Sequence, residues 1–363
     1  MKGLQKYLTP FAPDQSGAVS VLYEFGGLLV ICDAGGCVGN ICGFDEPRWS
    51  TAKSAIFSAG LRDMDAIMGR DEHLVKKLVM AVDEIDANFV AVIGTPVPAV
   101  IGTDYVALSR MIEKKVDIPV IALSTTGMSF YDKGAQAAYL AIVKEFCREK
   151  LPVKKGYIGV FGATPLEIGD LQAKEKMQSV IDRDGIKNEN EDGTELSEGE
   201  TSYKVYCYGM GDGLAQLERA SEAEFNLVLA PSGLKAAQYL KDTFGTPYEI
   251  YNPLVKEYIP GIPFENKRVL IIGQQIFVHS LRKELRKQGC KDVIAADFFM
   301  QIPELTETGD VHLSDEDQCE ELLQKGAFDV IFADAVFKKM ARNFAGVFVE
   351  IPQFAVSGKL VGE

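Results

Sequence analysis

The sequence predicts an α/β protein built of three parallel-sheet units, and three observations carry this. Short apolar runs alternate with longer amphipathic stretches almost throughout the chain, the pattern of buried parallel strands covered by helices. At 363 residues the chain has room for two or three domains of roughly 100–200 residues each. Its composition, 47% hydrophobic and 25% charged with a mean hydropathy of +0.02, is that of a globular protein able to bury a large core. Disordered, collagenous and coiled-coil chains are excluded.

The first unit is expected over residues 1–152, with strands at Gly27–Ile31, Phe89–Ile93 and Ile118–Leu123. Between the first two, Leu74, Leu78, Val79, Val82 and Ile85 fall close to the three-and-four spacing of one buried helix face. Another helix is expected from Asp132 to Lys150, with Pro152 as its stop. Thr103 and Asp104 precede an amphipathic stretch and are candidate N-caps. The second unit, 153–262, has strands expected at Gly156–Phe161, Tyr203–Cys207, Phe225–Leu229 and Thr246–Ile250. Within it, Asp184–Ser202 is rich in Glu, Asp, Asn and Gly and reads as a solvated surface loop. The Pro-containing stretch Asn252–Pro263 marks a boundary before the third unit, 263–363, with strands at Arg268–Ile272, Val293–Ala296, Val330–Ala333 and Val347–Glu350. In Rossmann-like (flavodoxin-like) units of this kind, ligands sit beyond the carboxyl ends of the strands. Those loops are where chemistry is expected.

Charge and targeting narrow the function. Lys and Arg total 38 against 52 Asp and Glu, a net charge of −14, and the isoelectric point is near 4.9. Binding a phosphate backbone needs clustered positive charge, so nucleic acid is excluded as the main partner. The opening Met1-Lys2-Gly3-Leu4-Gln5-Lys6 lacks the apolar run of a signal peptide, and no apolar stretch approaches the ~18 residues of a membrane span. A cytoplasmic protein without a membrane partner is expected. No G-x-x-x-x-G-K-[ST] sequence occurs, so no phosphate-cradling loop for ATP hydrolysis is expected in this chain. Gly209–Gly213 follows a strand and could approach a phosphate, but it matches no nucleotide fingerprint.

The seven cysteines are unevenly spread. Cys32, Cys37 and Cys42 stand five residues apart in a glycine-rich stretch, Cys32–Gly43, directly after a strand. Glycines let the backbone turn sharply and approach a bulky group, and thiolates are the standard ligands of iron–sulfur clusters. Zinc would favour paired C-x2-4-C spacing with nearby histidine, whereas His73, His279 and His312 are all distant in sequence. The bland alternative is that small thiols fill tight spaces beside a strand. Asp33 and Asp45 are candidate oxygen ligands or proton donors on the same loop. Cys147, Cys207, Cys290 and Cys319 are isolated and read as structural, as do His73 and His279 in helix-like surroundings.

The order of segments resembles component 1 of the nitrogenase-type oxidoreductases, a family of nitrogenase subunits, cofactor-assembly scaffolds and tetrapyrrole reductases. Cys32-Asp33-Ala34-Gly35-Gly36-Cys37 stands where that family has His-Gly-Pro-x-Gly-Cys. Thr95–Asp104 is similar to its Thr-Cys-x-x-x-Val-Ile-Gly-Asp-Asp element. Pro13–Ala18, Ser58–Gly69, Ile118–Gly127, Gly162–Asp170, Ala223–Val228, Phe244–Pro247 and Lys267–Ile271 recur in the family's order, so the resemblance covers nearly the whole chain.

The resemblance implies an iron–sulfur protein, and with Cys37 at a family ligand position the loop thiols Cys32, Cys37 and Cys42 are the expected ligands of a [4Fe–4S]-type cluster. It implies electrons received from a separate ATP-hydrolysing reductase and passed to a small molecule, or, as the alternative, a non-catalytic scaffold or carrier for a metallocluster or tetrapyrrole. A homodimer, or a heterodimer with a related chain, is implied because such clusters lie where two related subunits meet. The departures are equally specific. Of the family's three cluster cysteines only Cys37 is present, while Pro13 and Pro96 occupy the other two places. The place of the active-site cofactor's cysteine falls near Leu229 and Ala230, neither of which ligates metal, so no molybdenum–iron cofactor is expected.

Overall fold

The computed structural model describes residues 5–62, 64, 65, 69, 71–184 and 203–362. Beyond Asp184 the expected surface loop lies outside these residues, as do Asp63 and 66–68 of the Ser58–Gly69 segment.

Three all-parallel sheets follow one another along the chain. The first contains β1 (Leu28–Ile31), β2 (Ala55–Ser58), β3 (Val90–Ile93) and β4 (Val120–Leu123) in the order β2-β1-β3-β4. The second repeats that order with β5 (Lys154–Phe161), β6 (Lys204–Cys207), β7 (Ala223–Val228) and β8 (Tyr248–Ile250), arranged β6-β5-β7-β8. The third has β9 (Arg268–Ile272), β10 (Asp292–Asp297), β11 (Val311–His312), β12 (Val330–Ala333) and β13 (Val347–Glu350) in the order β11-β10-β9-β12-β13. Central strands such as Leu-Leu-Val-Ile and Val-Ala-Val-Ile are buried along their whole length, because helices cover both faces of a parallel sheet.

Sequence expectation and structure differ at four elements. Two sheet-edge strands were not expected: β2 has half-buried to exposed residues, and β11 has only two residues. The helix expected to run to Lys150 spans Tyr131–Phe146. Cys147 leaves helical geometry, and its buried thiol donates to the Leu217 carbonyl at 2.8 Å. The helix thus ends before Pro152 is reached. Helix Asp14–Leu22 is buried at every residue, so it carries no polar face by which its period could be read.

Helix Asp14–Leu22 meets helix Tyr131–Phe146 backbone to backbone. A Cβ on Gly17 would lie 1.9 Å from the Tyr131 carbonyl oxygen, and one on Gly134 would lie 1.7 Å from that of Asp14. A strap formed by residues 6–12 ties the third unit to the first. The Glu316 carboxylate accepts from the N–H groups of Lys6, Tyr7 and Leu8 at 2.7, 2.8 and 2.8 Å. Ala12 N–H donates to Ala355 and Tyr131 N–H to Ala12, while Phe11 packs on Phe130, Phe298 and Phe299. At the other end of the chain, Val361 N–H donates to Gly169 at 2.7 Å.

Candidate functional site

In the order β2-β1-β3-β4 the chain leaves β1 toward one edge of the sheet and β3 toward the other. Their loops diverge at the carboxyl edge and open a crevice. The loop after β1 is Cys32–Asp45. The loop after β3 begins Thr95-Pro96 and becomes helix Pro96–Ile101, started by a proline whose missing N–H costs nothing at that position.

The three loop cysteines are not equivalent. Successive side chains of a strand point to opposite faces, and Leu28, Val30 and Cys32 share the face packed against Ala59, Leu74 and Leu78. Cys32 is buried, and that burial, helped by Asp33 and Asp71, pushes its thiol up to about 12. Cys37 and Cys42 are half-buried on short helical turns, Gly36–Asn40 and Ile41–Asp45. Cys37 packs against the opposite core from Cys32, while the Thr95 hydroxyl donates to the Cys32 carbonyl at 2.6 Å. The Cys37 thiol is raised by burial and by the Asp33 carboxylate, with Thr95 opposing; burial and Glu46 raise that of Cys42. No cation activates either thiol in these shifts.

The two carboxylates are used locally. Asp33 accepts from Val38 N–H at 2.9 Å and from the Ser58 hydroxyl at 2.5 Å, holding the first turn of the loop. Asp45 accepts from Ser16 Oγ and Asn40 Nδ2, both at 2.6 Å, and burial raises its pKa. Among the described residues no group of three or more His, Cys, Asp or Glu side chains is placed to hold one metal ion. Cys32, Cys37 and Cys42 are therefore not gathered into a ligand set within this chain.

The fold does bring Cys37, Pro96 and the segment after Pro13 to one edge. Thr95, bonded to the Cys32 carbonyl where the Cys37 loop begins, is followed directly by Pro96. A Cβ on Gly127, which has φ +72°, would meet Pro96 Cγ at 2.5 Å and Gln15 Oε1 at 3.3 Å. Gln15 is buried, and its Oε1 has no hydrogen-bond partner. Around this edge Phe44, Val97, Val100, Ile101, Met128 and Phe130 are exposed.

Sequence reasoning missed Arg48, which braces the loop from behind. Its buried guanidinium donates to Glu46 at 2.7 Å, to Glu24 at 2.8 Å and to the carbonyls of Ser20 and Gly209 at 2.6 and 2.7 Å. It also lies over the Tyr23 ring. The Gly209–Gly213 turn that could have approached a phosphate is closed on itself, with Asp212 accepting from Cys207 N–H and paired to Lys174 at 2.7 Å. Asp104 caps helix Tyr105–Glu113 as expected, accepting from Val106 and Ala107 N–H.

A second site lies where the carboxyl edges of the second and third sheets face each other. A cavity of about 20 Å³ is lined by Gly162, Glu167, Leu229, Asn252, Gln274 and Gln353, among others. This is where Leu229 stands in place of a cofactor cysteine; its carbonyl accepts from Gln274 Nε2 at 2.7 Å. The lining includes no Cys or His, and the volume suits a water molecule. A molybdenum–iron cofactor does not fit these residues.

Three consecutive parallel-sheet units, with sites at the points where their crossovers diverge, define a multi-unit Rossmann-like protein. More particularly, the chain belongs to the nitrogenase component 1 type oxidoreductase family, whose model matches residues 15–255. It is similar to the nitrogenase iron-molybdenum cofactor biosynthesis protein NifN of Rippkaea orientalis, with 23% identity over 214 residues, 53% of this chain and 45% of that protein. The alignment thus spans less than half of that relative's length. Structures of nitrogenase Cp1 at pH 6.5 and pH 5 superpose with TM-scores of 0.65 and 0.64 at 14% and 15% identity. They cover 96% of this chain, and 87% and 84% of theirs. At that identity the likeness shows the fold. No helix among the described residues is long and apolar enough to cross a membrane.

Proposed function

We propose that the chain is one subunit of a metallocluster-handling assembly, in which Cys37 is its ligand to an iron–sulfur cluster shared with a related chain. One observation carries this reading. Of the three positions that the family resemblance marks, Cys37 alone keeps a thiol, and that thiol is half-open at the sheet edge while Cys32 is locked in the core. Cys42 lies on the same loop and is also half-open. The exposed apolar side chains around the loop suit a partner subunit, and a two-fold pairing is the commonest way to build one. A bound cluster would supply single-electron storage and transfer. This chain's own part is to hold the turn that carries Cys37 through Asp33, and to brace the loop through Arg48. The similarity to a cofactor biosynthesis protein favours a scaffold role.

The second reading, favoured by the oxidoreductase description of the family, is electron relay from an ATP-hydrolysing reductase to a small molecule. Iron and acid-labile sulfide per chain, after anaerobic purification, test the shared ligand. A [4Fe–4S] cluster between two chains gives roughly two iron atoms per chain. Cys37→Ala is expected to remove most of the iron and the visible charge-transfer absorption, and Cys32→Ala to leave both. Full iron in Cys37→Ala, or an iron-loaded monomer, overturns the reading. Release of intact cluster to an apo-protein supports the scaffold role, and sustained turnover with a reductase supports relay.

A further inference from the structure

We propose that Glu167 is a proton-controlled latch: neutral, it closes the three units over the cavity between the second and third sheets, and ionised, it lets that cavity open. Glu167 lies on the turn Pro165–Ile168 after β5, in the cavity wall. Its Oε2 accepts from the Tyr131 hydroxyl at 2.8 Å, on the long helix of the first unit. Gln353, in the closing segment of the third unit, donates to that same hydroxyl at 2.9 Å. Ser232, at the start of helix Pro231–Phe244 in the second unit, reaches Oε1 at a long 3.5 Å. Through the Tyr131 hydroxyl, this one carboxyl is therefore linked to side chains of all three units.

The charges around it disfavour ionisation. The helix Tyr131–Phe146 presents Tyr131, Asp132 and Tyr139 to it. Asp132 is itself buried and accepts from the N–H groups of Met300 and Lys133. Across the cavity stands Tyr258, and beyond the turn Asp170, which is paired to Lys176. On the adjoining helix Asp14–Leu22 the carboxylate of Asp14 is held by Thr126 and Gly127 N–H. The short helix Phe354–Ser357 that packs on the turn carries no titratable group. The cavity lining includes no Lys, Arg or His. A carboxylate here would be buried beside like charge with no cation, an arrangement that strongly favours the proton-bound form. Burial pushes the group up to about 8.

The sign follows from linkage. If the carboxyl titrates near its ordinary 4.5 when the cavity is open and near 8 when it is closed, each pH unit between those values makes opening about tenfold easier. Above the higher value the effect levels off. Backbone hydrogen exchange of Glu167, Ile168 and Gly169, whose amides are bonded within the turn, reads the opening once the intrinsic exchange rate is divided out. In the full chain the opening constant is expected to rise about tenfold per unit from pH 5 to 8 and then flatten. Glu167→Gln keeps the shape and the acceptor for Tyr131, and is expected to give a flat profile. Tyr131→Phe removes a donor to the carboxylate and should move the plateau to higher pH. A flat wild-type profile overturns the latch, as does an equal slope in Glu167→Gln or an unmoved plateau in Tyr131→Phe.

Discussion

The face of a strand on which a residue falls decides what its side chain can do, and β1 shows this within one loop. Leu28, Val30 and Cys32 have the same parity, so Cys32 continues a core face, although the thiol spacing marks it as a ligand. The half-open state of Cys37 was not legible, because that residue lies past the strand on the helical turn Gly36–Asn40, where strand parity no longer applies. Nor was Arg48, whose partners Glu24 and Gly209 are remote in sequence. Removing one member of a buried ion pair strands the other, so Arg48→Ala is expected to cost roughly 3–5 kcal/mol, read as a lower urea midpoint. Glu167 sets a pH trend of its own. Its folded-state pKa lies above the ordinary value, so its contribution to stability is full below pH 4.5 and is lost as pH rises toward 8. Wild type should lose stability relative to Glu167→Gln over that window, by at most on the order of 4 kcal/mol, and run parallel to it above. Denaturant titrations at pH 5, 7 and 9 check the sign.

At the scale of elements, the buried strands of all three sheets were legible because a parallel strand covered on both faces is a continuous apolar run. The edges were harder, since β2 and β11 lack that run. Helix Asp14–Leu22 was hidden for the opposite reason, its burial on every side. Its sequence nevertheless carried a trace, because Gly17 and Gly134 mark where two helix backbones touch. Either position substituted by Ala puts a methyl group within 2 Å of a carbonyl oxygen, so the helices must separate. Gly17→Ala and Gly134→Ala are each expected to lower stability by more than the ~1 kcal/mol that Ala gains over Gly in an open helix. Since the Gln15–Gly127–Pro96 contact hangs on the same helix, both variants should also loosen the cluster edge, and iron loading under limiting iron checks this.

Over the whole molecule, the three-unit plan and its order were legible from the alternation of strands and helices, while the way the units are joined was not. The strap residues Lys6–Leu8 bind Glu316 through backbone N–H groups, contacts indifferent to the side chains that a sequence displays. Three bodies joined in series by two connections form a hinged chain, in which each end swings freely. A third connection between first and last bodies turns that chain into a triangle, and a triangle cannot flex unless one of its sides lengthens. The strap, with the Tyr131–Gln353 and Asp132–Met300 contacts, is that third side. Interior motion in this protein is therefore a slight, simultaneous parting of three joints, not the closing of a jaw.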